Sequence, residues 1–239
     1  MWTRSLLKTN AKTALKHNYW RTFFVCIVAG FFLYTSPTAT VSASYGSVQS
    51  KVNAAENFIF VLAASLVIIA LSIAFTFFLA GAIEVGFSRY LMENRVGNPP
   101  FSSLFSVFGS PDYWNVIKIM FMRSVYIFLW SLLFVIPGII KSLEYQAIPY
   151  ILSENPSISK DRAFALSRQM TNGEKGAIFV LDLSFFGWEI LCMFTFGIGF
   201  LFLAPYVHAT NAELYSVLRA KVFAAGASDE KELADFVRY

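Results

Sequence analysis

Apolar residues in this chain come in long runs separated by short polar segments, rather than in the periodic singles of a soluble domain. A helix needs roughly 20 mostly apolar residues to cross a bilayer, and several runs approach that length. The pattern predicts an all-α fold, a polytopic transmembrane helical bundle. Its spans, about six in number and arranged as three helical hairpins, are predicted at residues 20–34, 58–87, 116–136, 139–152, 177–194 and 200–218.

The segments outside these spans predict helices at the membrane surface. Residues 1–19 predict an amphipathic helix on the cytoplasmic face, followed by an uncleaved anchor, although Ser42-Ala43-Ser44 is a weak match to a signal-peptide cleavage site. Residues 35–57 predict an external loop, and 219–239 a cytoplasmic tail. Four cations recur every fourth residue in the first helix and predict contact with anionic lipid headgroups: Arg4, Lys8, Lys12 and Lys16.

The charge content supports this topology. Only 14% of residues are charged, against about a quarter in soluble domains, while 56% are hydrophobic. The net charge is +4, and the cations concentrate in the predicted cytoplasmic segments. This distribution favours the positive-inside rule over a polyanion site, so we expect a multi-pass protein of the cytoplasmic membrane, with both termini cytoplasmic and no nucleic-acid partner.

Pro137-Gly138 interrupts the apolar sequence and predicts a helix break. The chain either turns back there or continues outwards as one bent helix. The cations between Lys160 and Lys175 should be cytoplasmic, which requires a crossing at 139–152. At about 1.5 Å per residue this crossing covers only about 20 Å.

Ionisable residues inside predicted spans are costly and mark candidate functional positions. Arg123 and Asp182 are predicted at similar depths in the membrane, which favours an ion pair between them. Lys141, Glu144 and Glu189 are predicted to lie together towards the outer half of the membrane. We therefore predict an intramembrane polar seam made of Arg123, Lys141, Glu144, Asp182 and Glu189. These charges could simply neutralise one another, or they could line a hydrated cavity; Glu144 and Glu189 could also act as an acid–base pair.

Two segments match without a gap and suggest an internal repeat. In each, Pro-Tyr is followed by Asn five residues after the tyrosine, which gives Pro149, Tyr150 and Asn155, and Pro205, Tyr206 and Asn211. Common origin of the hairpins would explain the match, and so would coincidence among aromatic-rich membrane helices.

The string PGIIKSLEYQAIPYILSENP, with the downstream strings AFALSRQM, LDLSFFGWEIL and TFGIGFLFLAPY, resembles a bacterial family of integral membrane proteins catalogued as domain of unknown function 975. The resemblance is specific from Trp130 to Tyr215. It implies a multi-helix bundle in the cytoplasmic membrane, mostly of Gram-positive bacteria. It implies no catalytic activity and supplies no catalytic residues.

The sequence contains no metalloprotease helix motif, phosphate-cradling loop or nucleophile elbow, so we expect no enzyme activity, no cofactor and no metal site. The leading hypothesis is a non-enzymatic binding or accessory protein. Its partner would be membrane lipid, another membrane protein, or a membrane-active peptide or toxin. The alternatives are a small transporter or channel that uses the polar seam, and a membrane-embedded enzyme acting on a lipid-linked substrate.

Overall fold

The computed structural model describes residues 2–34, 62–68 and 76–233, and all regular secondary structure in these residues is helical. The predicted loop at 35–57 and parts of the second span, 58–61 and 69–75, lie outside the described residues, as does the end of the tail at 234–239. The α-helices are α1 (Arg4–Tyr34), α2 (Gly81–Asn94), α3 (Tyr113–Leu133), α4 (Val135–Glu144), α5 (Ile148–Glu154), α6 (Lys160–Thr171), α7 (Lys175–Phe194) and α8 (Ile198–Ala224).

Three shorter helical pieces accompany these helices. Residues 62–68 form a helical run, and a π-helical turn at Thr76–Ala80 leads into α2. A 3₁₀ helix at Phe101–Gly109 connects α2 to α3. It packs so closely on α2 that a Cβ added to Gly86 would lie 1.9 Å from the carbonyl oxygen of Leu104.

Two helices in the described residues, α3 and α7, are long and apolar enough to cross a membrane. Only 22% and 17% of their most apolar windows are buried inside the protein, whereas the core helix of a soluble protein would be mostly buried. The all-helical fold is confirmed. The number of spans remains a prediction.

Large apolar side chains are exposed mainly at one set of helix ends, which we call the apolar surface. They lie on the second half of α1, on both sides of the α3–α4 connection, along α7 and at the start of α8. Exposure reaches 68% at Phe134, 80% at Phe194 and 99% at Phe196. The hydrophobic core lies mainly among α2, the first half of α3, α5, α6 and the second half of α8, and one side of α1 and the first half of α7 also contribute to it.

The first helix differs from its prediction. Residues 4–34 form one helix with a kink at Asn18, whose backbone is non-helical at φ −123 and ψ 21. The segment before the kink packs against α8 through Leu7, Ala11 and Leu15, spaced one turn apart and buried. It is therefore part of the bundle and not a separate surface helix. Three of the predicted lipid contacts, Arg4, Lys12 and Lys16, are exposed on it.

The remaining cation predicted to contact lipid, Lys8, points towards α7. Lys8 Nζ donates to the hydroxyl of Ser184 at 2.7 Å and lies 4.2 Å from the ring centre of Phe185. Burial is the main reason that the pKa of Lys8 is lowered, and the neighbouring Arg4 and Lys12 lower it further. Lys8 thus joins α1 to α7 instead of facing headgroups.

The helix break lies three residues before the predicted one. Phe134 is extended, with φ −157 and ψ 147, and separates α3 from α4, while Pro137 and Gly138 lie inside α4. A proline in the first turn of a helix leaves no hydrogen bond unmade, so Pro137 fits there. The chain turns back at this break, as the close approach of α4 to α3 shows: a Cβ added to Gly138 would lie 2.8 Å from the Cα of Ser131. Gly138 therefore permits the close contact of a helical hairpin.

The predicted crossing at 139–152 is not one helix. It is divided at residues 145–147 into the end of α4 and the short helix α5. All residues of α5 except Tyr150 are buried in the core. This segment therefore enters the protein interior instead of crossing lipid alone.

The end of the described chain is held by charged hydrogen bonds, one pair buried and one partly exposed. We call α5, α6, the second half of α8 and residues 225–233 the packed end. Glu154, whose side chain is fully buried, accepts hydrogen bonds from Tyr215 and Arg219 at 2.7 and 3.0 Å. Arg162 donates to both carboxylate oxygens of Glu232 at 2.6 and 2.7 Å. Helix α8 extends to Ala224, five residues beyond the predicted start of the tail.

The two copies of the proposed repeat have different local structures. Pro149 lies in the first turn of the seven-residue helix α5, whereas Pro205 lies inside the 27-residue helix α8. Asn155 ends α5 and donates to the backbone of Glu232, while Asn211 lies within α8 and lines a cavity. The matched sequences do not form equivalent hairpins.

Candidate functional site

An ion pair between α2 and α3 forms the centre of the candidate site. Arg123 Nη1 lies 2.8 Å from Glu84 Oε1, and Arg123 Nε donates to the carbonyl oxygen of Tyr145 at 3.1 Å. Residue 145 follows the end of α4, so Arg123 also fixes the connection to α5. Arg123 pairs with Glu84 and not, as the sequence predicted, with Asp182.

This ion pair lines a cavity of about 360 Å³, which we call the central cavity. The α4–α5 connection and α5 contribute Gln146 and Tyr150, and α8 contributes His208 and Asn211. The ring of Tyr150 stacks on that of Tyr215, with centres 4.9 Å apart, which fixes its position on the wall. Gln146 Nε2 is buried and has no hydrogen-bond partner among the described residues, so the cavity offers an unused donor.

A second cavity of about 760 Å³, the apolar pocket, lies on the other side of Phe87 and His208. These two side chains line both cavities, and their rings meet edge to face with centres 4.9 Å apart. Glu189 of α7 is the acidic residue in the lining of the apolar pocket. The rest of that lining is supplied mainly by the second half of α1 and the start of α8: Cys26, Ile27, Phe31, Phe200, Leu201 and Ala204.

The structure does not bring the five predicted seam residues together. Arg123 lines the central cavity and Glu189 the apolar pocket, while Asp182 is exposed on α7. Lys141 and Glu144 pair with each other, and Glu144 also binds Lys175 at the start of α7.

The predicted grouping of Glu144 with Glu189 is wrong for a simple geometric reason. Glu189 lies 14 residues after Lys175 on the same helix, which is about 21 Å at 1.5 Å per residue. The two carboxylates are therefore not an acid–base pair. Of the predicted seam residues, Arg123 therefore lies in the central cavity, Glu189 in the apolar pocket, and Lys141 and Glu144 in a separate group of charges.

Sequence reasoning missed three residues of the central cavity. Glu84 is not among the predicted seam residues, although a carboxylate within the predicted span 58–87 is itself a signal for an internal partner. His208 is likewise absent from the predicted seam, and its ring contacts that of Phe87. Gln146 gave no signal, because its position depends on the break between α4 and α5.

The lining indicates what the central cavity can do chemically. A paired carboxylate and guanidinium can exchange their mutual contact for a ligand's cation and anion, and amide side chains add neutral hydrogen bonds. No group of three or more His, Cys, Asp or Glu side chains in 2–34, 62–68 and 76–233 is placed to hold a metal ion. The arrangement suits recognition of a small charged or zwitterionic group.

A family model described as "Protein of unknown function (DUF975)" matches residues 132–222. Over these residues the chain is similar to the DUF975 family. The DUF975 match includes Gln146, Tyr150, His208 and Asn211 of the central cavity. Glu84 and Arg123, which complete the cavity, lie before it. No curated protein and no solved structure matches the chain.

Proposed function

We propose that this chain is an integral membrane protein that binds an amphiphilic ligand and does not itself catalyse a reaction. One observation carries the proposal: a polar cavity and an apolar pocket share the walls Phe87 and His208. A ligand with a charged head and a hydrocarbon part has the two kinds of surface that these cavities offer. Membrane lipids and membrane-active peptides both belong to this class.

Membrane placement is supported by the apolar surface. Contiguous exposed apolar side chains on this scale are rare on soluble monomers and mark contact with another apolar medium. We propose multiple crossings of a bacterial cytoplasmic membrane with both termini on the cytoplasmic side. The apolar pocket is lined by the same segments that carry this surface, so a hydrocarbon chain could enter it from the lipid.

We assign recognition of the ligand's charged head group to the ion pair of Glu84 and Arg123. Glu84 would accept hydrogen bonds from an ammonium group, and Arg123 would donate to a phosphate or carboxylate. Gln146 would use its unpaired donor on the same ligand. The ligand's head is therefore zwitterionic in this proposal.

The test measures binding of lysophosphatidylethanolamine to the full chain in phosphatidylcholine nanodiscs by calorimetry. Arg123→Gln should weaken binding at least tenfold, which is about 1.4 kcal/mol. Lys118→Gln is the matched control, since Lys118 is an exposed cation on the same helix and outside the cavity. Asn211→Leu changes the lining without touching the ion pair, and should weaken binding even if Arg123→Gln does not fold.

A second pair of measurements separates the head from the chain. Ala204→Phe fills the apolar pocket and should weaken binding of the lysolipid but not that of soluble phosphoethanolamine. The proposal fails if Arg123→Gln and Asn211→Leu bind the lysolipid as tightly as Lys118→Gln. It also fails if the recovered lysolipid is chemically altered, because the protein would then be an enzyme.

Transport is the second candidate function, because the two cavities follow one another along α8. His208 and Asn211 line the first, and Phe200 and Ala204 line the second. Passage of a solute would require the edge-to-face contact of Phe87 with His208 to open. Uptake of phosphoethanolamine into proteoliposomes that is lost in Glu84→Gln but kept in Lys118→Gln would favour transport over retention.

A further inference from the structure

A cluster of cations outside the central cavity surrounds one buried carboxylate. Glu144, which is 5% exposed, lies 3.0 Å from Lys141 Nζ, 3.1 Å from Arg168 Nε and 2.7 Å from Lys175 Nζ. The three cations come from α4, α6 and α7, which are brought together here. With one carboxylate for three cations, this group, which we call the Glu144 cluster, has a net charge of +2.

The excess positive charge faces outwards. The carboxylate of Glu144 is covered, whereas 54% of the Arg168 side chain and 34% of the Lys175 side chain are exposed. An approaching ligand therefore meets the cations and not the carboxylate. Charge repulsion among the cations is only partly relieved by Glu144, so an added anion would lower their energy.

Arg168 is held in a fixed orientation with donor capacity left over. Its Nε is bound to Glu144, and its Nη2 donates to the hydroxyl of Tyr145 at 3.2 Å. The Tyr145 hydroxyl is the main reason that the pKa of Arg168 is raised above its ordinary value. A guanidinium has five N–H donors, so further donors remain for an acceptor outside the cluster.

The cluster adjoins the apolar surface. Lys141 Nζ lies 5.5 Å from the ring centre of Trp130, and the neighbouring side chains Ile139 and Ile140 are 41% and 43% exposed. Tryptophan and tyrosine beside lysine and arginine, at the edge of an apolar band, are typical of the headgroup layer of a membrane. The exposed cations thus lie where the phosphate groups of lipids would be.

We propose that the Glu144 cluster is a binding site for an anionic phosphate group. Phosphate fits because arginine and lysine together supply directed hydrogen bonds and positive charge. The phosphate can belong to an anionic lipid such as phosphatidylglycerol or to a soluble phosphate ester. The site goes beyond the proposed amphiphile function, since it uses none of the residues that line the central cavity or the apolar pocket.

The experiment has a lipid arm and a soluble arm, both with the full chain. Native mass spectrometry measures retention of phosphatidylglycerol, and calorimetry in phosphatidylcholine nanodiscs measures binding of sn-glycerol 3-phosphate. Arg168→Gln should reduce affinity about tenfold in whichever arm contains the natural source. Lys160→Gln should not, because Lys160 lies on the same helix but pairs with the exposed Asp161.

Glu144→Gln provides a test of opposite sign. If the cations serve a phosphate, removal of their internal carboxylate should raise phosphate affinity. If they serve only to neutralise Glu144, the substitution should destabilise the protein without any gain in binding.

Each outcome decides the proposal. Loss in the lipid arm alone identifies a lipid headgroup, loss in the soluble arm alone identifies a soluble phosphate ester, and loss in both arms identifies a phosphate ester in general. Equal binding by Arg168→Gln and Lys160→Gln in both arms overturns the proposal. This comparison does not depend on Glu144→Gln, so it remains decisive if that variant does not fold.

Discussion

The apolar surface and the packed end contain similar helices but have opposite relations to solvent. At the α7–α8 turn the aromatic side chains point outwards, and Phe196 is 99% exposed. At the packed end the side chain of Glu154 is fully buried and bonded to Tyr215 and Arg219. The packed end can be held together by its own contacts, whereas the apolar surface requires another apolar medium to cover it. Stability should therefore respond to substitution very differently in the two regions.

The largest expected effect is at the packed end. Glu154→Gln would leave Arg219, which is 7% exposed, without its charge partner, and loss of one member of a buried ion pair typically costs about 3–5 kcal/mol. Thermal unfolding in detergent should show a large decrease in stability. Glu174→Gln is the control, since its partner Lys221 is 40% exposed and such pairs contribute about 0–1 kcal/mol. Equal unfolding temperatures for the two variants would contradict a larger contribution of the buried pair, Glu154 with Arg219, to stability.

The next effect contrasts two helical glycines. Gly86→Ala would force the 3₁₀ helix away from α2 at Leu104, and overpacking of this kind costs about 1–3 kcal/mol. Gly187→Ala on α7 meets no atom within 4 Å and should stabilise the helix by about 0.5–1 kcal/mol. Unfolding in the same detergent measures both changes. The contrast is lost if both substitutions shift stability in the same direction.

These comparisons show what the sequence could predict. The all-helical class and the end of one predicted span before the next at 194–200 follow from hydropathy. Gly197, which has φ 84, lies at that turn. The break at Phe134 could not be predicted, because no local residue demands it and the close contact of Gly138 with Ser131 is tertiary. Likewise, Arg123 pairs with Glu84 because helices distant in sequence pack together, and depth alone cannot select between Glu84 and Asp182.

The third effect is a change with pH at the end of the described chain. A hydrogen bond from Arg162 is the main reason that the pKa of Glu232 lies below its ordinary value of 4.5. A carboxyl group whose pKa is lower in the folded than in the unfolded state stabilises the folded state at pH values above its unfolded-state pKa. That contribution is lost as the pH falls through the folded-state pKa. Attachment of residues 225–233 should thus be complete at neutral pH and weaken below about pH 4.5.

A spin label at position 225 can measure this attachment. Its mobility should increase as the pH falls below about 4.5 in the parent chain. In Glu232→Gln the label should already be mobile at neutral pH, because the charged bond to Arg162 is gone. A label that stays immobile in both chains at every pH would show that other contacts hold the segment.

The smallest expected effect is at the apolar surface. Phe196 has φ 53, a left-handed conformation that costs a non-glycine residue about 1–2 kcal/mol. Phe196→Gly should therefore raise stability in detergent by up to about 1 kcal/mol, since its exposed ring contributes little packing. A decrease in stability would mean that the ring makes a contact that its exposure does not suggest.

The kinked helix α1 also has a consequence for how the protein is made. It packs along α8 through Leu7, Ala11 and Leu15, and Tyr19 donates to the backbone of Phe202, more than 180 residues later. The ribosome completes α1 long before it reaches α8, so during synthesis the apolar stripe of α1 has no α8 to cover it. Until α8 emerges, this stripe must therefore be shielded by another partner, such as a chaperone or lipid.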